Sequence, residues 1–358
     1  MALFLRFILS SHFNDGLSRC WYKATISRGF ITYFFSRLVL NSAFIKILVL
    51  LSVFVSLWRI KTVLLITLVT IAFTAAGQTR VQGKNKINGT DLYLNVKGKG
   101  EYLLVLHGGP GLNHSYFSPH LNALEKKFTL IYFDQRACGK SAIPSSDSIS
   151  IKFLVGDIEA IRKKFKIEKL NILAHSWAAL QAVQYAMAHS ENVNKLILSN
   201  PSMLSREYDE QAAQLVKKNT TREDSVKLAS MRQGEMDASK YEEMFLISFR
   251  PSAFKKENVA KINLNLPRNF ASANNALFTA LMKDPVLGQN LYQSLSGLNF
   301  PVLIIHGDAD VIPYESIERL SKELPQSELA VFKESGHFPF VEETELFNAT
   351  VREFLEKK

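Results

Sequence analysis

Two cysteines are all that the 358 residues contain, Cys20 and Cys138. Neither stands in a C-x₂-C or comparable spacing and no His/Cys cluster accompanies them, so the sequence offers no zinc site. With Cys138 alone after the first 78 residues, the remainder has no internal disulfide even if it is exported. Runs of Lys and Arg with interleaved aromatics are lacking too. The formal net charge of +10 is concentrated at the start: residues 1–78 carry eight Lys/Arg against Asp15 alone, a net +7, leaving only +3 for the rest. That is too little for a nucleic-acid footprint. Uninterrupted apolar stretches of the ~20 residues that span a bilayer are likewise missing.

The basic leader holds two shorter apolar runs, Ile47 to Trp58 and Thr62 to Ala76, split by Arg59 and Lys61. The second reads as a signal-peptide core, with Lys61 in front and the small residues Thr74, Ala75, Ala76 and Gly77 behind. Cleavage near Gly77 exports the remainder, to the periplasm or the extracellular space. The alternative is a membrane anchor formed by residues 47–76, which makes the leader the one candidate for membrane contact. The long aromatic stretch before Ile60 suits neither reading, and a translation start near Ile60 is a further expectation.

From residue 79 the chain, 47% hydrophobic overall, has ordinary globular material. KINGTDLYLNV, Lys86 to Val96, reads as a hairpin about Asn88-Gly89. Glu101 to Leu106 is a strand buried on both faces, followed by His107-Gly108-Gly109-Pro110-Gly111. Glycines there allow a tight turn with free N–H groups, one half of an oxyanion hole. A helix is predicted over 118–127, a strand over 130–133, then Asp134-Gln135-Arg136-Ala137-Cys138-Gly139-Lys140-Ser141, polar residues at a strand end where open sheets place ligand sites, in which Asp134 and Arg136 are read as fixing the loop by ion pairing, with a direct catalytic part as the alternative. A helix at 153–165 precedes a strand and helix joined at Ser176, and another buried strand covers 195–199. Residues 202–298 are polar and helical, with segments near 206–218, 223–233, 239–247 and 271–283. Buried strands resume at 301–306 and 329–332, and a helix from Thr344 ends the chain. Alternating strands and helices predict a mostly parallel sheet with helices on both faces, residues 79–358, and a helical cap, 202–298, inserted after the sixth strand.

Ser176 lies in Ala174-His175-Ser176-Trp177-Ala178, at an abrupt strand-to-helix turn. Such a turn lifts a hydroxyl above the sheet and aims the next residue's N–H at the place where negative charge develops. The usual G-x-S-x-G has alanines in place of both glycines here. A serine needs a base and an acid that orients it. Strand ends supply them in the order Ser176, Asp310, His337, with the cap lying in the 134-residue separation of Ser176 from Asp310. The third position after the strand-ending glycine selects Asp310, with Asp308 as the alternative acid.

HGGPG (107–111), DQRACGKS (134–141), AHSWA (174–178), HGDADVIP (306–313) and GHFPFVEE (336–343) together resemble the proline iminopeptidase branch of the α/β-hydrolase fold, the S33 serine peptidases. The resemblance covers most of 86–201 and 299–357. It implies Ser176 as nucleophile, Asp310 and His337 as its partners, and the N–H groups of Gly109 and Trp177 as the oxyanion hole. It implies a small peptide substrate, with an ester as the alternative, and neither metal nor organic cofactor. Family members are expected to hold a substrate amino group with cap carboxylates near a tryptophan-rich segment. This cap has no tryptophan, and its acids Glu235, Glu242 and Glu243 take no assigned role.

Overall fold

The computed structural model describes residues 45–62 save 48, 81–231 and 236–357. The chain forms two compact units, Met1–Ala76 and Gly77–Lys358. In the first, residues 45–47 and 49–62 are helical. Among the described residues no helix is long and apolar enough to cross a membrane. From residue 63 onward the signal-like apolar run lies outside the described residues.

The second unit is built on eight strands in the order β1-β2-β4-β3-β5-β6-β7-β8. Strands β1 (Gln82–Ile87) and β2 (Thr90–Gly98) form the hairpin, antiparallel, with Ile87 opposite Thr90. Asn88 and Gly89 both take positive φ, 46° and 77°, as the tightest hairpin turns require. β2 is antiparallel to β4 (Phe128–Asp134). The rest, β3 (Glu101–Leu106), β5 (Leu170–His175), β6 (Val193–Ser199), β7 (Val302–Gly307) and β8 (Ser327–Phe332), run parallel.

Largely apolar runs form β3, β5, β6 and β7 because both faces of the sheet are covered there. Leu104, Leu106, Ile172, Ala174, Leu196 and Leu198 enter one core; Leu103, Val105, Leu173 and Ile197, their alternate neighbours, enter the other. Against the first core lie helices α1 (Ile151–Lys164) and α2 (Ala178–Ala188), against the second the C-terminal helix Thr344–Glu356. Each fully buried leucine contributes roughly 1.5–3 kcal/mol. The arrangement brings the C-terminal ends of β3, β5, β6, β7 and β8 to one edge, where open parallel sheets place ligand sites.

Between β6 and β7 the described residues contain helices and turns but no strand: α3 (Asp209–Asn219), α4 (Arg222–Met231), α5 (Ala238–Phe249) and α6 (Phe270–Leu281). The Leu291 N–H bonded to the Leu204 carbonyl at 2.9 Å closes the base of this insertion.

The helix predicted over 118–127 is absent. Its place is taken by separate turns, with three-residue bonds such as Leu124 N–H to Leu121 O at 3.0 Å and Lys127 N–H to Leu124 O at 3.0 Å. Leu121 and Leu124, three residues apart, are buried together, which a turn with three residues per cycle satisfies as well as a helix.

Helices α1 and α2 are joined through Glu159, which accepts hydrogen bonds from Arg162 at 2.8 and 2.7 Å and from the Tyr185 hydroxyl at 2.9 Å. The Arg162 bonds hold its carboxyl at about 2, down from 4.5. A carboxyl whose value falls on folding stabilises the fold above the unfolded value, and that contribution disappears as pH falls through the folded one. Glu159→Gln is therefore expected to lower Tm at neutral pH, and its difference from the wild type should shrink between about pH 4.5 and 2 in thermal melts followed by circular dichroism.

Candidate active site

β5 ends at His175 and α2 begins at Ala178, so the chain reverses within two residues. Ser176 makes the turn with φ 58°, a left-handed conformation that costs a non-glycine residue about 1–3 kcal/mol. Its neighbours hold it there. The Ser176 N–H donates to Ser199 O on β6 at 3.0 Å, and its carbonyl accepts from Ala179 N–H at 3.0 Å and Ser202 N–H at 3.1 Å. Ala174 and Ala178, which replace the expected glycines, are completely buried. The tight approach is carried by Gly108 in the neighbouring loop: a Cβ there would lie 2.8 Å from Ser176 Cβ and 2.9 Å from His175 O.

His337 follows β8 and reaches the serine, its Nε2 2.9 Å from Ser176 Oγ. On its other side Nδ1 lies 2.8 Å from Asp310 Oδ2. A carboxylate accepts only, so Nδ1 carries the proton and Nε2 presents a lone pair to the hydroxyl. Asp310 is 7% exposed. Burial by itself pushes its carboxyl up, but the charge and hydrogen bond of His337 outweigh this and hold it below the usual carboxylate range. Asn200, the first residue after β6, donates through Nδ2 to Asp310 Oδ2 at 2.8 Å and to Gly336 O at 3.0 Å. Ile312 N–H bonds Asp310 Oδ1 at 3.2 Å. Of the two candidate acids, the structure brings Asp310 to the histidine; Asp308 is exposed and pairs with Lys333 at 3.2 Å.

Main-chain contacts complete the setting. His337 N–H donates to Ser252 O of the insertion at 2.7 Å, and Phe249 packs on Phe338 with ring centroids 5.0 Å apart. Gly336 permits this approach, since a Cβ there would stand 1.9 Å from Ser252 O. Gly109 lies in the loop after β3 and is exposed, while Trp177 heads α2. Neither N–H has a hydrogen-bond partner among the described residues. Asn113, just beyond the HGGPG segment, donates to Leu264 O at 2.7 Å, tying that loop to the insertion.

Asp134 and Arg136 fix their loop, each through its own partners. Asp134 is bonded by His114 Nδ1 at 2.6 Å and by Lys140 N–H at 2.8 Å. Arg136 grips Asp157 of α1 through Nε at 2.8 Å and Nη2 at 2.5 Å. Of the cap acids, Glu242 accepts Leu266 N–H at 2.5 Å, Glu243 pairs with Lys227 at 2.5 Å, and Glu235 lies outside the described residues.

A hydroxyl on a strained turn, an imidazole oriented by a buried carboxylate, and N–H groups without partners among the described residues, at the head of α2 and in the loop after β3, are the parts needed to attack and stabilise an acyl centre. Asn200 and Ser252 were not evident from the sequence. Asn200 had one signal, a polar side chain at the C-terminal end of a buried parallel strand. The Ser252 contact is through the main chain and leaves no side-chain signature.

Residues 101–344 match the family model described as "alpha/beta hydrolase fold". The chain is 25% identical over 294 residues to a proline iminopeptidase of Thermoplasma volcanium, covering 77% of this chain and 96% of that one. It is 27% identical over 276 residues to a proline iminopeptidase of Clostridium botulinum, covering 71% and 89%. Among solved structures it resembles an alpha/beta fold family hydrolase of Bacillus anthracis at TM-score 0.62 and 21% identity, covering 76% of this chain and 99% of that one. It also resembles an esterase of Exiguobacterium antarcticum at TM-score 0.57 and 22% identity, covering 77% and 100%.

Proposed function

Given that the chain belongs to the alpha/beta hydrolase fold family and is a hydrolase, we propose that it acts through a serine nucleophile by acyl transfer, and that it is an aminopeptidase releasing an N-terminal residue, proline among them, from short peptides. The observation that carries the chemistry is the unbroken relay from Ser176 Oγ to His337 at 2.9 Å and from His337 to Asp310 at 2.8 Å. The motifs HGGPG and DQRACGKS and the proline iminopeptidase relatives favour the peptidase substrate.

In this reading His337 takes the Ser176 proton as Oγ attacks the carbonyl carbon. The Gly109 and Trp177 N–H groups bind the oxygen as it becomes negative, each such donor contributing about 3 kcal/mol. His337 then hands its proton to the departing amine, and water, deprotonated by His337, releases the acyl group from Ser176. Asp310 keeps the imidazole in the required tautomer and remains ionised throughout.

A second reading, a carboxylesterase with the same triad, is favoured by the cap. It lacks tryptophan, Glu243 is taken up by Lys227, and Glu242 is bonded to the Leu266 main chain. Steady-state turnover of prolyl-p-nitroanilide and p-nitrophenyl acetate by the purified protein separates the two. The peptidase reading expects arylamide cleavage that Ser176→Ala removes; ester cleavage with no arylamide cleavage would establish the alternative.

A further inference from the structure

Among the buried histidines that the proposed chemistry does not use, one lies directly against the triad. His175, the last residue of β5 and only 2% exposed, sits beneath the catalytic imidazole with the two rings 5.0 Å apart. Its Nε2 lies 2.8 Å from the main-chain oxygen of His337. A carbonyl accepts only, so Nε2 carries the proton and Nδ1 must accept. Nδ1 is 3.0 Å from the Tyr116 hydroxyl, which therefore donates to it, and the same hydroxyl accepts the Gly108 N–H. Burial pushes the His175 imidazole down to about 3 and the Tyr116 phenol upward, so both stay neutral and each bond keeps its direction.

The result is one directed chain: Gly108 N–H to Tyr116 O–H, Tyr116 O–H to His175 Nδ1, and His175 Nε2–H to His337 C=O. It links three loops that leave different strands. Gly108 adjoins Gly109 in the loop after β3, His175 adjoins Ser176 at the end of β5, and His337 lies in the loop after β8. Packing alone does not call for a histidine here. Its ring sits among those of Tyr116, Phe117, Phe338 and Phe340, a nest that phenylalanine would fill. Burying two ring nitrogens is unfavourable unless both are bonded, and here both are. With the His337 N–H held by Ser252 O, the bond from His175 fixes the other main-chain group of the same residue.

We propose that His175 is a positioning residue that, through Tyr116, holds the His337 main chain and the Gly108–Gly109 loop in register with Ser176. The proposal rests on the serine-hydrolase reading above. It predicts an effect on the chemical step rather than on binding.

The test uses the full-length protein and whichever of the two chromogenic substrates it turns over, with active sites counted by fluorophosphonate titration. His175→Phe should lower kcat about 10²-fold, the cost of a misplacement near 1 Å, with KM changed by no more than about twofold. His175→Gln, whose amide N–H can reach the His337 carbonyl, should recover about tenfold of that loss. Tyr116→Phe should lower kcat as well, and the Tyr116→Phe/His175→Phe double variant should lose no more than His175→Phe alone, because the residues act as one unit. An unchanged kcat per titrated site in His175→Phe, even with a lowered Tm, would overturn the proposal, as would losses that multiply in the double variant. Should His175→Phe fail to fold, Tyr116→Phe and His175→Gln decide the matter, and wild-type kcat in Tyr116→Phe would overturn it. Wild-type protein that fluorophosphonate leaves fully active would remove the serine-hydrolase reading itself and this proposal with it, an outcome distinguishable from any result on the variants.

Discussion

Ser176→Ala is expected to lower kcat by roughly 10⁴–10⁶-fold while the protein remains folded. Oγ is the atom that His337 Nε2 faces, at 2.9 Å, and the substitution removes that atom and little else. The main-chain bonds that hold the turn, to Ser199, Ser202 and Ala179, are untouched. Alanine bears the same cost at φ 58° as serine. Thermal melts should consequently coincide with the wild type, whereas turnover of whichever substrate the wild type accepts should vanish. A serine serving only to terminate a strand would show the opposite pattern, with turnover retained.

Asp310→Asn should be nearly as damaging, with kcat reduced on the order of 10⁴-fold. The structure gives the reason at the level of single hydrogen bonds. Oδ2 accepts from both His337 Nδ1 and Asn200 Nδ2, and Oδ1 accepts from Ile312 N–H, so both positions require an acceptor. An amide has one acceptor to offer. With its NH₂ toward His337 it forces the imidazole into the tautomer whose Nε2 already carries a proton and cannot take another from Ser176. With its NH₂ toward Ile312 it sets two donors against each other. Asp308→Asn provides the contrast: its carboxylate is exposed on Lys333, and surface pairs of that kind contribute about 0–1 kcal/mol, so kcat should hold. Steady-state kinetics on the two variants side by side checks the assignment of the acid.

The central strands were legible because burial on both faces favours apolar residues, so LLVL, ILA and LIL announce themselves as apolar runs. The same rule locates the site, since each run breaks off into polar residues at the edge where the loops gather: HGGPG, Ser176, Asp310, His337. The elbow alanines made the motif look imperfect. In the structure a tight approach to Ser176 falls on Gly108, one loop away, and Ala174 and Ala178 bury their methyls in the core. The region 118–127 misled because leucines spaced by three suit both a helix and a series of three-residue turns. Asp134 and Arg136 hold their loop through partners on other elements, His114 and Asp157, which proximity in sequence does not identify. The bonds that steady His337 from below and above run to main-chain oxygens or from a residue 162 positions away, and no local pattern encodes them.

The most direct test of the account is the site at which a fluorophosphonate attaches. Mass spectrometry of a proteolytic digest of the treated protein should find a single phosphonyl adduct, on the peptide containing Ser176, formed in parallel with loss of activity and absent when His337 is replaced by alanine. Full activity after treatment, or an adduct on any other residue that tracks the loss, would contradict it.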